Sequence, residues 1–213
     1  QTVYSILLAR TLQPSDYGLY SLSMALILSC SIIPIFGLGQ GLAQYIPKKI
    51  AINREIDAVK AINFSFIFCL FLSILLSLVL FSFSEFISIK IFRISEMRNM
   101  IIFSAIFIPF STNYILGRSV FIGLKEIQYS ALAENIGMKI SRILLFILAL
   151  YLGYNLVGAI FASLISFILI TFFYLYVLYT KFIPKLGDGY SYHFSFNKEI
   201  LHLSWPIFLV GFT

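Results

Sequence analysis

The chain has 213 residues, of which 60% are hydrophobic and only 11% charged, and its mean hydropathy is +0.97. A soluble domain carries roughly 25% charged residues, and a soluble protein of this size could not hide so much apolar surface. The composition excludes that class and indicates an all-α, polytopic membrane helix bundle. The formal net charge of +6 would suggest nucleic acid in a soluble protein. In a membrane protein it indicates basic loops that anchor one side of the bilayer, so no nucleic-acid partner is expected.

In chain order, residues 2–8 are the tail of a first apolar span. A short polar joint comes next, Ala9-Arg10-Thr11-Leu12-Gln13-Pro14-Ser15-Asp16-Tyr17-Gly18-Leu19-Tyr20. Pro14 disfavours helix at Gln13, and Ser15 and Asp16 are good N-cap residues for the next helix. The joint reads as a tight hairpin between two membrane helices, with Arg10 ending one and Asp16 starting the next.

The second span covers about 19–46 and carries Pro34 and then Gly37-Leu38-Gly39-Gln40-Gly41. Such a helix is predicted to kink or break. Irregular backbone at membrane depth is tolerated only against protein or a water-filled cavity. Gly37 and Gly41 also match the small-x-x-x-small spacing that lets helices approach closely. Close packing and a transport role are both open for Pro34, Gly37, Gly39 and Gly41.

Charged residues from Lys48 to Lys60 mark a loop, and an uncharged third span covers about 61–84. Residues 85–98, with Glu85, Lys90, Arg93, Glu96 and Arg98, are predicted to be a short loop. The fourth span runs from about 99 to 124 and contains Pro109, Asn113 and Arg118. The fifth covers about 130–152, the sixth about 156–179, and Gly187-Asp188-Gly189 suggests a turn. Ser204-Trp205-Pro206 opens a seventh apolar run with Pro expected in its first turn. The predicted domains are residues 1–203, a six-helix lobe whose first helix is truncated, and 204–213, the start of helix 7. The chain is expected to be a fragment of a longer protein.

Inside loops would hold eight basic residues and outside loops four if the N-terminus is cytoplasmic, which favours that orientation. Cys30 and Cys69 fall inside apolar runs and read as packing residues. His193 and His202 lack the spacing of a helical metal site, and no metal is expected.

The fifth span is unusual. On a helical wheel Ala131, Glu134, Asn135, Met138, Lys139 and Arg142 fall within an arc of roughly 140°. Lys139 lies about 14 Å, and Arg142 about 18 Å, from Ser130 along the axis. Arg142 is thus placed near mid-bilayer, where a lipid-facing charge costs at least about 3 kcal/mol. The face must point at other helices or at water. One reading is a cationic cavity in which Lys139 and Arg142 attract the phosphates of an anionic headgroup, with Arg118 and Arg10 as weaker candidates. Glu134 and Asp16 are then the candidates for a coupling proton or sodium ion, and no other cofactor is expected. The competing reading is snorkelling or internal pairing of the same charges.

The joint at 9–20 resembles the end of the first helix in Wzx-type polysaccharide flippases. These belong to the superfamily that also holds lipid II flippases and multidrug extruders. Phe36-Gly37-Leu38-Gly39-Gln40-Gly41-Leu42-Ala43-Gln44-Tyr45-Ile46-Pro47-Lys48-Lys49 is similar to that family's second-helix end and basic loop. Gly117-Arg118 through Gly123-Leu124-Lys125 resembles the joint of helices 4 and 5, and Leu203-Ser204-Trp205-Pro206-Ile207 the start of the second half. Gln13 departs from the family, where Gly is commoner.

The resemblance implies two six-helix lobes around a cavity open to one side at a time, of which this chain supplies the N-terminal one. The implied activity is flipping a polyprenyl-pyrophosphate-linked oligosaccharide across the cytoplasmic (inner) membrane by alternating access, beside polysaccharide assembly enzymes. No paired carboxylates, Ser/His/Asp set or phosphate loop is evident, which fits a transporter better than an enzyme. A cation-coupled multidrug extruder should favour acids in this lobe, and a membrane polymerase or acyltransferase should have a large outer loop. A scaffold would leave Lys139 and Arg142 unexplained.

Overall fold

The computed structural model describes residues 2–94, 97–186 and 197–210. Among these residues the chain is helical throughout and contains no strand. Helix α1 spans Thr2–Thr11 and α2 Pro14–Ile35, joined by the tight hairpin read from the sequence. The cap differs from expectation. Gln13 is the N-cap and Pro14 the first helical residue, so neither Ser15 nor Asp16 caps. Proline suits that position because its missing N–H would be unpaired there anyway. Asp16 lies in the first turn, where its charge complements the helix dipole.

The second span does break. Phe36 (φ 50°) and Gly37 (φ 71°) are both left-handed, and α3 restarts over Leu38–Ala51. Left-handed backbone is costly for Phe36 and natural for Gly37. Phe36 is held there by its ring, which stacks on Phe208 at 4.8 Å and leans on Trp205 at 5.5 Å. Cys69 supports the bend, its thiol donating to the Pro34 carbonyl at 3.1 Å. Both described cysteines are free.

Helix α4 covers Glu55–Ser82 and α5 Met97–Gly123. Between them the expected loop is instead largely helical, with a turn at Ser84–Phe86 and a π-helical segment at Ile87–Phe92 that stops at left-handed Arg93. The reason is apolar content: Phe86, Ile87, Ile89 and Ile91 extend the run while Lys90 folds over the Phe86 ring at 5.1 Å. Glu96 lies outside the described residues.

Helix α6 also differs from an uninterrupted span. It begins as α-helix over Ile127–Leu132, becomes π-helical over Ala133–Met138, and returns to α-helix over Lys139–Tyr151. Helix α7 covers Leu156–Val177 and continues through a π segment, Leu178–Phe182, to Ile183–Leu186. The predicted turn at 187–189 and His193 lie outside the described residues. The last helix, α8, spans Lys198–Val210. It begins earlier than expected, so Pro206 sits in its interior and not in its first turn.

Among the described residues four helices, Pro14–Ile35, Glu55–Ser82, Met97–Gly123 and Leu156–Lys185, are long and apolar enough to cross a membrane. Their large outward residues, such as Phe71, Leu78, Phe172 and Tyr176, are exposed in the isolated chain. That inversion is expected of a bundle whose solvent is lipid. Two apolar cores occupy opposite ends of the bundle. One gathers Leu42, Ile62, Val120, Phe121 and Tyr174. The other gathers Leu8, Ile27, Phe107, Phe146 and Phe167. Tyr114 and Met138 touch both, and they stand where the polar groups collect.

Helix α8 packs against α3. A Cβ on Gly41 would collide with the Ser204 hydroxyl, and one on Gly37 with the Ser204 carbonyl, so these glycines let the two helices meet closely. Gly39 faces the other way, toward Ser119 on α5. At the end of this seam Lys49 pairs with Glu199 at 2.7 Å, and the Tyr45 hydroxyl donates to the same carboxylate at 2.9 Å.

Candidate functional site: a cationic cleft between α1, α2 and α6

A cleft of about 780 Å³ opens between α1, α2 and α6, with α5 and α7 behind it. Its charged wall is the polar face of α6: Glu134, Asn135, Met138, Lys139 and Arg142. Its opposite wall is Tyr4, Leu8, Tyr17, Tyr20 and Met24, and Tyr114 and Phe167 line it from α5 and α7. Such a volume suits a headgroup-sized ligand, not a whole polymer.

The depth of the site is set by helix rise. Counting back from Tyr151, Arg142 lies about 13 Å, Lys139 about 18 Å and Glu134 about 25 Å into the bundle. Tyr114 lies about 25 Å along α5 from Met97, at the same end, which agrees with its place beside Glu134. With hydrocarbon about 30 Å thick, Arg142 and Lys139 lie on either side of the middle of the membrane, and Glu134 lies nearer its far face.

Each charge has a distinct setting. Lys139 donates to the Asn135 side-chain oxygen at 2.9 Å, a neutral partner one turn earlier. The Arg142 guanidinium sits between two aromatic rings, 5.6 Å from the Tyr4 centroid and 5.5 Å from that of Phe167. Its Nε is buried and has no hydrogen-bond partner. Tyr4 is fixed in turn by an edge contact with Phe146 at 5.8 Å and by its hydroxyl, which donates to the Ala159 carbonyl at 3.4 Å. The Tyr20 hydroxyl meets Ser163 at 2.9 Å.

Glu134 is paired across to α5. Its Oε1 is 2.9 Å from Arg118 Nε. The same buried Oε1 has no hydrogen bond, so the contact is an ion pair whose N–H is not aimed along the oxygen. Tyr114 places its hydroxyl within reach of the same carboxylate. Arg118 is half-exposed and does not itself line the cleft.

Of the residues singled out by sequence, the structure brings Lys139, Arg142 and Glu134 into one cleft and attaches Arg118 to it through Glu134. It does not bring in Arg10, which ends α1 exposed, or Asp16, which lies in the first turn of α2. The polar joint carries both to the rim of the bundle, beyond the lining. Ala131 also falls outside it, because the π segment intervenes between Ala131 and Lys139. A π-helix closes its hydrogen bonds over one residue more than an α-helix, so residues beyond it are rotated. Pro34, Gly37, Gly39 and Gly41 act at helix breaks and helix contacts and line no part of the cleft. The aromatic wall is the part that sequence reasoning missed. Tyr17 and Tyr20 stand in the polar joint, but nothing in their spacing sets them opposite α6. Among the described residues no His, Cys, Asp and Glu cluster could hold a metal ion.

A family model described as polysaccharide biosynthesis protein matches residues 1–213. Among solved structures the chain resembles one described as the inward-facing conformation of a multidrug resistance MATE family transporter of the MOP superfamily. The TM-score is 0.70 at 20% identity, over 98% of this chain and 48% of the other. The chain thus spans about half the length of the structure that it matches. At that identity the likeness shows a shared fold. No curated protein matches.

Proposed function

The chain belongs to the polysaccharide biosynthesis protein family, and from that premise we propose that it is the N-terminal lobe of a flippase for lipid-linked saccharides. The carrying observation is the buried, hydrogen-bond-free Nε of Arg142, beside Lys139, in a cleft at mid-membrane depth. An intramembrane cation without a carboxylate of its own is costly unless an anion visits it. A phosphate or pyrophosphate linking a polyprenyl chain to a sugar supplies that anion. Lys139 and Arg142 bind it, Asn135 and the ring sandwich hold them in place, and the second lobe closes the cleft from the other side. Alternating access moves the headgroup without covalent chemistry, so we assign no enzymatic step. The N-terminus lies on the cytoplasmic side of the inner membrane in this reading. We assign a coupling proton or sodium ion to Glu134 rather than to Asp16, because Glu134 lines the cleft and Asp16 does not.

The test is export of cell-surface polysaccharide by the full-length protein in cells lacking their own flippase. Substituting Lys139 and Arg142 together by Gln is expected to abolish export at unchanged membrane abundance. Wild-type export from that double variant would remove the reading.

A second reading is favoured by the shared fold with a multidrug transporter. The cleft wall argues against it, since the one carboxylate among its described residues is already paired with Arg118. Accumulation of a cationic dye that falls on expression, and is restored by Glu134→Gln, would support extrusion over flipping.

A further inference from the structure

The cleft contains its own anion. Among the described residues, three cations, Arg118, Lys139 and Arg142, are grouped with a single carboxylate, Glu134. We propose that Glu134 is an internal counter-anion that an anionic ligand must displace from Arg118, so that Glu134 sets the threshold of negative charge the cleft accepts. The inference rests on the reading of the cleft as a phosphate site and adds a specificity role to it.

Three observations carry it. The Glu134–Arg118 contact is close, 2.9 Å, yet Oε1 receives no aligned hydrogen bond, so the pair lacks the directional part that makes Arg–carboxylate contacts strong. Arg118 is half-exposed at 52%, so its guanidinium can turn to a new partner without crossing the packed core. A released Glu134 is not left bare, because the Tyr114 hydroxyl is within reach of it. An anion lying against Lys139 and Arg142 would be repelled by Glu134 in the same lining. Attraction by Arg118, released as a third cation, offsets that repulsion while Tyr114 holds the carboxylate. A ligand with enough negative charge to attract Arg118 drives the exchange; a neutral or weakly charged headgroup does not. Glu134 acts through Arg118 and is therefore a positioning residue.

The experiment uses the purified full-length protein in nanodiscs and inorganic pyrophosphate as the probe, with binding read by calorimetry. Glu134→Gln keeps the shape of the side chain and removes its charge, and is expected to tighten pyrophosphate binding about tenfold. In the double variant Glu134→Gln with Arg118→Gln, most of that gain should disappear, because its source is the freed guanidinium. Thermal melting of each variant reports that the lobe is still folded. Unchanged or weaker binding by Glu134→Gln overturns the proposal. So does a gain that survives loss of Arg118, since bulk electrostatics would then account for it. The Lys139→Gln, Arg142→Gln double variant separates the two levels. If it loses pyrophosphate binding while Glu134→Gln is silent, the phosphate site stands and the exchange fails. If it binds as wild type does, the phosphate site itself falls, and the exchange with it.

Discussion

Arg142→Lys isolates what the ring sandwich contributes, because it preserves the charge and removes the plane. The guanidinium lies 5.6 Å from one ring centroid and 5.5 Å from another. Each such contact is worth about 0.5 kcal/mol at an exposed site and about 2 kcal/mol when desolvated. With Nε buried, the pair together should orient the guanidinium with about 1–3 kcal/mol. Lysine is a compact, strongly hydrated charge that cannot stack as a plane, so the exchange is not conservative here. Arg142→Lys is therefore expected to weaken pyrophosphate binding to the full-length protein by about tenfold, where 1.4 kcal/mol corresponds to a factor of ten. Phe167→Leu removes one ring and should show an intermediate loss with all charges in place. The assay is calorimetric titration, with thermal melting alongside. If Arg142→Lys binds as wild type while Arg142→Gln does not, charge alone suffices and the sandwich orients nothing.

The packing sets further outcomes. Gly117→Ala puts a Cβ 2.8 Å from the Tyr174 ring at the crossing of α5 and α7, which should cost about 1–3 kcal/mol as overpacking and lower the melting temperature. Gly18→Ala meets nothing within 4 Å inside α2 and should stabilise by about 0.5–1 kcal/mol, seen as a rise in the same melt. Lys49→Gln should loosen the α3–α8 seam, read as faster hydrogen exchange at the start of α8. Glu199 stands in the polar first turn of that helix, outside the apolar spans. Its carboxyl is held below the usual carboxylate range by its hydrogen bonds to Lys49 first and Tyr45 second. A lowered carboxylate contributes stability above its unfolded pKa and loses it as pH falls through the lowered value. Wild-type protection at α8 should thus persist at neutral pH and fade only in acid, whereas Lys49→Gln should lack it at both. Protection in Lys49→Gln equal to wild type at neutral pH would show that the glycine–Ser204 contact alone holds the seam.

The bundle was legible in the sequence because length and apolar content dictate membrane helices directly. The break after Pro34 was legible too, since Gly37 is the residue that left-handed backbone demands. Phe36 was not, because only its stack on Trp205 and Phe208 makes left-handed backbone tolerable there. The π segments were missed for a similar reason. Periodicity on a wheel assumes one rise and one turn angle, and no residue in Ala133-Glu134-Asn135-Ile136-Gly137-Met138 announces a different hydrogen-bond register. The cations on α6 were visible as charges in an apolar run, but their partners were not. Asn135 shares their face and is near in sequence. Tyr4, Phe167 and Arg118 come from three other helices, and only packing brings them together.

The two features that the sequence hid together account for where Arg142 points. An uninterrupted α-helix would keep Ala131 and Lys139 within one arc, as the wheel has them. The π segment adds a residue per hydrogen-bonded ring and so turns the helix beyond it by about 100° for each residue inserted. In the structure Ala131 faces outward while Asn135, Lys139 and Arg142 share the cleft. The segment is held in place from outside: a Cβ on Gly137 would stand 2.8 Å from the Ile170 side chain, and Ala133 is buried. The small residues on one side of the segment press α6 against α7, and the charged residues on the other side are thereby committed to the cleft. The placement of Lys139 and Arg142 in the cleft is then a consequence of helix packing. Their tolerance there depends on Glu134, on the aromatic rings and, in the proposed reading, on an anion that visits the cleft.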